Sequence, residues 1–505
     1  MKLPLRLLIA TVGGALAYLT FPRIGAWVLV FPLVALLYLS IRGVGFWRGF
    51  LIGAFGGFAF YASQVFWVSQ YLGPEPLLFL AGGEGFLFAL SFGLLARTQL
   101  SLSTLLTGSR LRLALALTAA IFWTSREWFS GHFPYGGFPW ARLAMSQSDT
   151  VLSHWVFFGG MPLTSFLIVF VTVWVFESLF ASRERKSLLT SAAAVCALFA
   201  LPLLAPLSNS AENGTLRIAA VQGNANAGLF ANLAEGSIRD NHIDGTNQLL
   251  ASKKPFDVVV WPENAVDVDV MGNQDANDQL RAYIDTKIKK PLIFGTITLR
   301  KEGLFNSSLL WEPGKSVTDW YDKQRPVPFA EYVPDREFWE KVSPLVSLIN
   351  HSYEFGTRDG IFEVAGKKLG VLICFEVAVD EISENLVNQD AEVILSQTNN
   401  ADFGRSDEAY QQLAIARLRA IETGRAVVNI STVGPSAIFL PDGSVVQELD
   451  AFTRGYLVSE VPMRTSKTPA MFITKPFDQI NFALSVLLAA GGVVVAIRPR
   501  KRRSK

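Results

Sequence analysis

Two cysteines occur in the 505 residues, and one of them closes an apolar run, Leu369-Gly370-Val371-Leu372-Ile373-Cys374-Phe375-Glu376. A buried strand that ends on a thiol is a way to present a nucleophile. A thiol with an unperturbed pKa of about 8.5 is mostly protonated at neutral pH, so a carboxylate must take its proton as it attacks a carbonyl. Glu263 is the candidate base: it follows the apolar run Val258-Val259-Val260-Trp261, and Pro262 stops the strand ladder so that the carboxylate projects from the sheet. Attack creates an oxyanion, which a fixed cation and the backbone N–H groups after the nucleophile can stabilise, each donor contributing about 3 kcal/mol. Lys323 is that cation, carried with Glu331 on the proline-stiffened segment Trp320–Pro334. Each of the three residues alone has an ordinary structural explanation. Their contexts together point to the chemistry of acyl transfer.

The other cysteine, Cys196, lies in Ala192-Ala193-Ala194-Val195-Cys196-Ala197-Leu198 and reads as a small buried hydrophobe. Two cysteines make no disulfide framework. The four histidines, His132, His154, His242 and His351, form no spaced ligand cluster, so no metal and no organic cofactor is expected.

What must position these groups is set by composition. Charged residues are 17% against 50% hydrophobic, with 38 Phe and 12 Trp, too apolar for an ordinary soluble enzyme of this length. Spans are expected near 4–20, 24–40, 48–70, 77–96, 111–129, 152–180, 187–206 and 476–497. Basic residues sit in every second loop: Lys2 and Arg6; Arg42 and Arg48; Arg97, Arg110 and Arg112; Arg183, Arg185 and Lys186; and the tail Arg498–Lys505. The positive-inside rule then puts both termini in the cytoplasm and residues 208–475 outside it. Ala15-Leu16-Ala17 also resembles a signal-peptide cleavage site, which would leave that sidedness unchanged. The expected domains are 1–207, with seven transmembrane helices; 208–475, catalytic; and 476–505, a last helix with a basic cytoplasmic tail. A net charge of +2 gives no global reason to expect nucleic acid, and the tail reads as an anchor.

Two polar or aromatic features stand out within the apolar region. The loop Phe129–Trp140 is aromatic and broken by Gly and Pro, which fits either an interfacial belt or a platform beside the catalytic domain. Glu84 lies in Gly82-Gly83-Glu84-Gly85, where an ionisable group is costly and is either functional or paired with a neighbouring helix; Glu177 is near enough to a span end to be structural.

From Thr215 the pattern changes to short apolar runs at 216–222, 258–261, 292–295, 369–373, 393–396, 426–430 and 436–440, separated by polar helical stretches. Buried strands in an α/β, layered α-β-β-α arrangement follow. Asp407–Thr423 has helical spacing, with Leu413, Ala416, Ala420 and Ile421 on one face.

Trp261-Pro262-Glu263, the Lys323 segment and Cys374-Phe375-Glu376, in that order, resemble the nitrilase (carbon–nitrogen hydrolase) superfamily. With eight spans around that domain, the whole chain resembles the bacterial apolipoprotein N-acyltransferase family. Further matches are Val221-Gln222-Gly223-Asn224, Phe138-Pro139-Trp140, Pro328–Pro334 and Ala416-Arg417-Leu418-Arg419-Ala420. The resemblance implies an extracytoplasmic α-β-β-α sandwich carried by a bundle of eight helices in the bacterial inner membrane. It implies Glu263 as base, Lys323 as stabiliser of the tetrahedral intermediate, Cys374 as nucleophile, and Glu331 and Glu376 as supporting carboxylates. Phe138, Trp140, Phe375 and Asn399 would contact substrate. A ping-pong reaction is implied: Cys374 takes an acyl chain from a phospholipid as a thioester, and the α-amine of a diacylglyceryl-cysteine apolipoprotein then takes it from Cys374. A monomer in the bilayer is expected. The sequence departs from the family at Phe375, where Tyr is frequent, and at Phe230 and Asp402, where Trp is usual.

A membrane-tethered amidase or nitrilase acting on a small amide would share the triad without needing lipid access. A transporter or scaffold with a catalytically dead outer domain would not retain Glu263, Lys323 and Cys374. Residues 332–358, with Phe338, Trp339, Leu345, Val346, Leu348, Ile349, Tyr353 and Phe355, either pack under the domain or form a mobile lid that admits acyl chains.

Overall fold

The computed structural model describes residues 1–181, 185–226 and 234–497. Arg183, Phe230 and the basic tail from Arg498 lie outside the described residues. The chain divides into two compact units: Met1–Ser69, Gly73–Ala205 and Phe472–Lys505 form one, and Gln70–Leu72 with Pro206–Met471 form the other.

The first unit is helical. Five of its helices are long and apolar enough to cross a membrane: Leu3–Thr20, Pro74–Leu105, Val151–Phe180, Arg185–Leu204 and Ala470–Val495. The other three segments expected to span are also helical, over Trp27–Ile41, Phe46–Gln64 and Gly108–Ser130, but fall short in length or hydropathy. Trp27–Ile41 is brief, Phe46–Gln64 is diluted by four glycines, and Gly108–Ser130 carries Arg110, Arg112, Arg126 and Glu127. Those glycines have a packing reason. A Cβ at Gly49, Gly53 or Gly57 would collide with Ala96, Phe92 or Phe88 of Pro74–Leu105, so the two backbones approach through a stripe of small residues.

Glu84, Glu177, Arg126 and Glu127, all buried in this unit, have hydrogen-bond partners. Ser130 Oγ donates to Glu84 at 2.7 Å, linking it to a neighbouring helix. Arg42 and the Tyr38 hydroxyl donate to Glu177 at 2.6 and 2.7 Å. Arg126 donates to the Tyr61 hydroxyl at 2.6 Å, and Glu127 accepts from Trp123 Nε1 at 2.8 Å. Cys196 corrects the sequence reading: it is exposed, not buried. The helix Arg185–Ala200 turns Ser187, Ser191 and Leu198 inward, and the helical period leaves Cys196 on the opposite, outward face.

The second unit contains two six-stranded sheets. Its strands are β1 (Thr215–Gln222), β2 (Val258–Val260), β3 (Leu292–Arg300), β4 (Gly303–Trp311), β5 (Val317–Asp322), β6 (Ile361–Val364), β7 (Lys367–Ile373), β8 (Val393–Thr398), β9 (Ala426–Ser431), β10 (Ser436–Phe439), β11 (Val445–Leu449) and β12 (Gly455–Pro462). One sheet runs β12-β1-β2-β3-β4-β5 and the other β11-β10-β9-β8-β7-β6. β1, β2 and β3 are parallel, as are β7, β8 and β9; the flanking strands are antiparallel.

Side-chain alternation builds the layers. Ile218, Ala220, Val258, Val260 and Ile293 share one buried core with Val371, Ile373, Leu395 and Val428 of the other sheet. Their neighbours Ala219, Val221 and Val259 face a second core with Leu249, Ala276 and Leu280 of the helices Ser237–Ala251 and Gln274–Tyr283. Helices Asp380–Asn388 and Glu408–Thr423 pack on the other sheet. This is the α-β-β-α sandwich. Glu263 and Cys374 stand just beyond the ends of the parallel strands β2 and β7, and Lys323 just beyond the antiparallel strand β5.

Candidate active site

Cys374 follows the last residue of β7 and opens the turn Cys374–Ala378. Its φ is 53°, in the left-handed region that costs a non-glycine residue about 1–3 kcal/mol. The surroundings hold that conformation in place. Glu376 accepts from Ile373 N–H at 2.9 Å, Gln324 N–H at 2.7 Å, Arg325 N–H at 3.1 Å and the Tyr321 hydroxyl at 2.9 Å. It therefore fastens the nucleophile turn to the Lys323 loop. Arg419 closes the other end of the turn, donating to Val377 O at 2.8 Å and Ala378 O at 3.0 Å.

Glu263 comes just after β2. Trp261 N–H still donates to Ile293 O at 2.8 Å, and Gly295 N–H donates to Pro262 O at 3.0 Å, so the chain stays pinned to β3. Gly295 is needed for this: a Cβ there would sit 2.5 Å from Glu263 Cα and 2.6 Å from Pro262 O. Lys323 follows β5, and its N–H donates to Asn306 O of β4 at 2.8 Å. Glu331 lies in a tight turn in which Val327 N–H donates to Oε2 at 2.6 Å.

The side chains converge. Lys323 Nζ lies 2.9 Å from Glu331 and 3.4 Å from Glu263. Asn306 Nδ2 bridges the two carboxylates at 2.8 Å from each. The Glu263 carboxylate and the Cys374 thiol act on each other electrostatically, and Gln412 Nε2 lies 3.5 Å from Cys374 Sγ. Lys323 is 1% exposed and Glu263 4%, so these charges act in a medium of low polarity. Burial pushes the Cys374 thiol well up, and the Glu263 carboxylate adds to that, with Lys323 opposing. Burial also raises Glu263, against the pull of Lys323. For Lys323 burial acts to depress, but Glu331 and Glu263 outweigh it and hold the ammonium well charged. Burial lifts Glu376 to about 7 against the backbone N–H of Ile373 and Lys323, which favour its anion. The arrangement can do one thing directly: a neutral thiol passes its proton to an adjacent carboxylate while a fixed ammonium waits beside both.

Glu263, Lys323, Cys374 and Glu331 are thus brought together, with Glu376 behind the turn. Phe375 is buried after the nucleophile. Asn399 is half-buried, its Oδ1 accepting from Ala401 N–H at 3.2 Å, and its neighbour Asn400 is the one that enters the network around the sulfur. Asp402 is half-buried, raised to about 6 by burial and then by Glu263. Phe138 and Trp140 belong to the helical unit, where their rings stack at 6.0 Å. Residues 332–358 divide: Val333, Val346 and Ile349 pack with Phe329 and Trp339, whereas Phe338, Leu348 and Phe355 are exposed.

Sequence reasoning missed Asn306, Asn400, Glu408 and Gln412. The signal for Asn306 is the polar run Asn306-Ser307-Ser308 inside an otherwise apolar stretch, every member of which is buried.

Comparison with known proteins gives the chain its family. The carbon-nitrogen hydrolase family matches residues 217–469, and the apolipoprotein N-acyltransferase N-terminal domain matches residues 13–174. An apolipoprotein N-acyltransferase of Mycolicibacterium smegmatis is 32% identical over 97% of this chain and 84% of its own length. Proteins of the same name from Pseudomonas putida and Aquifex aeolicus are each 29% identical, covering 92% and 88% of this chain and 92% and 96% of theirs. A crystal structure of an amidase from Nesterenkonia sp. aligns with 55% of this chain and 99% of its own at 17% identity and a TM-score of 0.40. The chain belongs to the apolipoprotein N-acyltransferase family, and its sandwich unit to the carbon–nitrogen hydrolases.

Proposed function

We propose that this protein transfers an acyl chain from a phospholipid to the α-amine of an N-terminal diacylglyceryl-cysteine, through a thioester on Cys374. The observation that carries the mechanism is the buried cluster in which Lys323 lies 3.4 Å from Glu263 and 2.9 Å from Glu331, with the charges of Glu263 and Lys323 acting on the Cys374 thiol. In the first half, Sγ attacks the ester carbonyl and its proton passes to Glu263. The negative charge that leaves Glu263 reappears on the carbonyl oxygen, where Lys323 and the N–H groups after Cys374 receive it. Net charge in the buried site does not change, so no new charge has to be desolvated. Collapse expels the lysophospholipid alkoxide, which takes the proton from Glu263. In the second half a neutral amine attacks the thioester, gives its proton to Glu263, and the departing Cys374 sulfur recovers it.

Asn306 and Glu331 hold Lys323 and Glu263 at a fixed separation, and Glu376 fixes the turn that bears the thiol. Both substrates are lipids, which gives the enzyme a reason to be built into a membrane. The eight helical segments and the alternation of basic loops support eight spans with both termini cytoplasmic and the sandwich extracytoplasmic. The exposed Phe338, Leu348 and Phe355 suit a lid that meets acyl chains.

Intact-mass analysis after incubation with phospholipid tests the reading. A hydroxylamine-labile acyl adduct that is lost in Cys374→Ala is expected. An adduct that persists in that variant overturns it, and release of free acid from soluble amides without lipid acylation favours the amidase reading.

A further inference from the structure

We propose that Gln412 is a further catalytic residue, its amide N–H donating to Cys374 Sγ as negative charge develops there, and that Asn400 is the positioning residue that aims it. This rests on the reading of Cys374 as the nucleophile. Gln412 lies on the helix Glu408–Thr423 and is 1% exposed, with Nε2 3.5 Å from Sγ, a normal distance for N–H to sulfur.

A carboxamide can present either its nitrogen or its oxygen, and the two have opposite effects on a thiolate. Here the choice is made one residue further out. Asn400 Nδ2 donates to Gln412 Oε1 at 2.7 Å and to Glu408 Oε2 at 2.7 Å. Its own Oδ1 accepts from Ser431 Oγ at 2.6 Å and Thr398 Oγ1 at 3.1 Å. Both ends of the Asn400 amide are occupied, so Gln412 Oε1 is held toward Asn400 and Nε2 is left facing the sulfur. All four partners of Asn400 are buried, and the ionised Glu408 carboxylate, which can only accept, fixes Asn400 Nδ2 toward it.

The donor answers an electrostatic need. The charges of Glu263 and Glu331 act on the sulfur against that of Lys323, with Glu408 adding its own as it ionises near 8, and Asp402 acts on Glu263. An amide N–H adds positive potential at Sγ without adding net charge to the buried site. Deleting a hydrogen bond to a charged group of this kind shifts a thiol by about one to two pH units.

The test uses the full chain in detergent micelles without phospholipid, on a Cys196→Ser background, with iodoacetamide alkylation of Cys374 followed by intact mass across pH. Gln412→Leu is expected to move the alkylation midpoint up by about one to two pH units and to slow the reaction at pH 7.5 about tenfold or more. Asn400→Leu leaves Gln412 in place but unaimed, and is expected to shift the midpoint in the same direction. The double variant should shift no further than Gln412→Leu alone, because Asn400 acts through Gln412. Wild-type midpoints in the single variants, or additive shifts in the double, overturn the proposal. If Gln412→Leu does not fold, Asn400→Leu decides by its midpoint. No phospholipid is present, so the outcome is independent of acyl transfer: an adduct in the separate phospholipid incubation with unmoved midpoints here sinks this role alone, and moved midpoints here without any adduct there sink the acyltransferase reading alone.

Discussion

Replacing Gly295 by alanine perturbs the candidate base without touching a titratable group. The added Cβ would lie 2.5 Å from Glu263 Cα, 2.6 Å from Pro262 O and 2.7 Å from Asn264 N. Ordinary contacts at these atoms need roughly 3.4 Å or more, so the 262–264 backbone must retreat by about 1 Å. Three backbone atoms are involved, and no flexible side chain can yield in their place. Overpacking of this kind costs about 1–3 kcal/mol of stability. A displacement of about 1 Å between base and nucleophile costs about a hundredfold in rate, because proton transfer depends on a hydrogen-bonded approach. Gly295→Ala is therefore expected to acylate Cys374 about a hundredfold more slowly, measured by intact mass in a single turnover with phospholipid nanodiscs. Gly82→Ala is the control, since a Cβ there meets nothing within 4 Å. Wild-type acylation by Gly295→Ala, with an unchanged melting temperature, would refute the placement of Glu263 as base.

Lys323→Met removes the cation from between two buried carboxylates. It should slow acylation about 10²–10³-fold and lower stability by about 3–5 kcal/mol, read from single-turnover mass spectrometry and denaturation. Glu408→Gln tests a pH effect. Burial holds this carboxyl at about 8 against an ordinary 4.5, so between those values the unfolded chain releases a proton that the folded chain keeps. Folded stability is then lost as pH rises, by up to about 5 kcal/mol, and the variant's melting advantage over wild type should be larger at pH 8 than at pH 5. Replacing Phe338, Leu348 and Phe355 together by serine should slow acylation from bilayers more than from dispersed short-chain phospholipid; equal rates from both would count against a lid.

The strands legible in the sequence were those buried on both faces. Runs such as Val258-Val259-Val260 and Val393-Ile394-Leu395 are apolar throughout because one face meets the opposite sheet and the other a helix. β4 escaped because its centre, Asn306-Ser307-Ser308, serves the site and its supports in place of the core. β11 escaped because it is an edge strand with exposed residues. Glu263 and Cys374 stood out because each closes an apolar run, and Lys323 because it lies on a proline-stiffened segment. Gln412 did not, since an amphipathic reading of its helix looks for apolar positions. That helix is buried nearly all round, and its polar residues Gln412, Arg419 and Glu422 are inside. In the helical unit, Arg126 and Glu127 were passed over for a similar reason: buried charges interrupt the hydropathy by which a span is recognised, and only their partners explain them.

The central claim is that one acyl chain travels from phospholipid to Cys374 and from there to an amine. The enzyme would be loaded with phospholipid carrying an isotope-labelled acyl chain, freed of donor, and mixed with a peptide bearing an N-terminal diacylglyceryl-cysteine. The prediction is that label leaves Cys374 and appears quantitatively as an amide on the peptide's α-nitrogen. Label released as free fatty acid, with the peptide left unmodified, would contradict it.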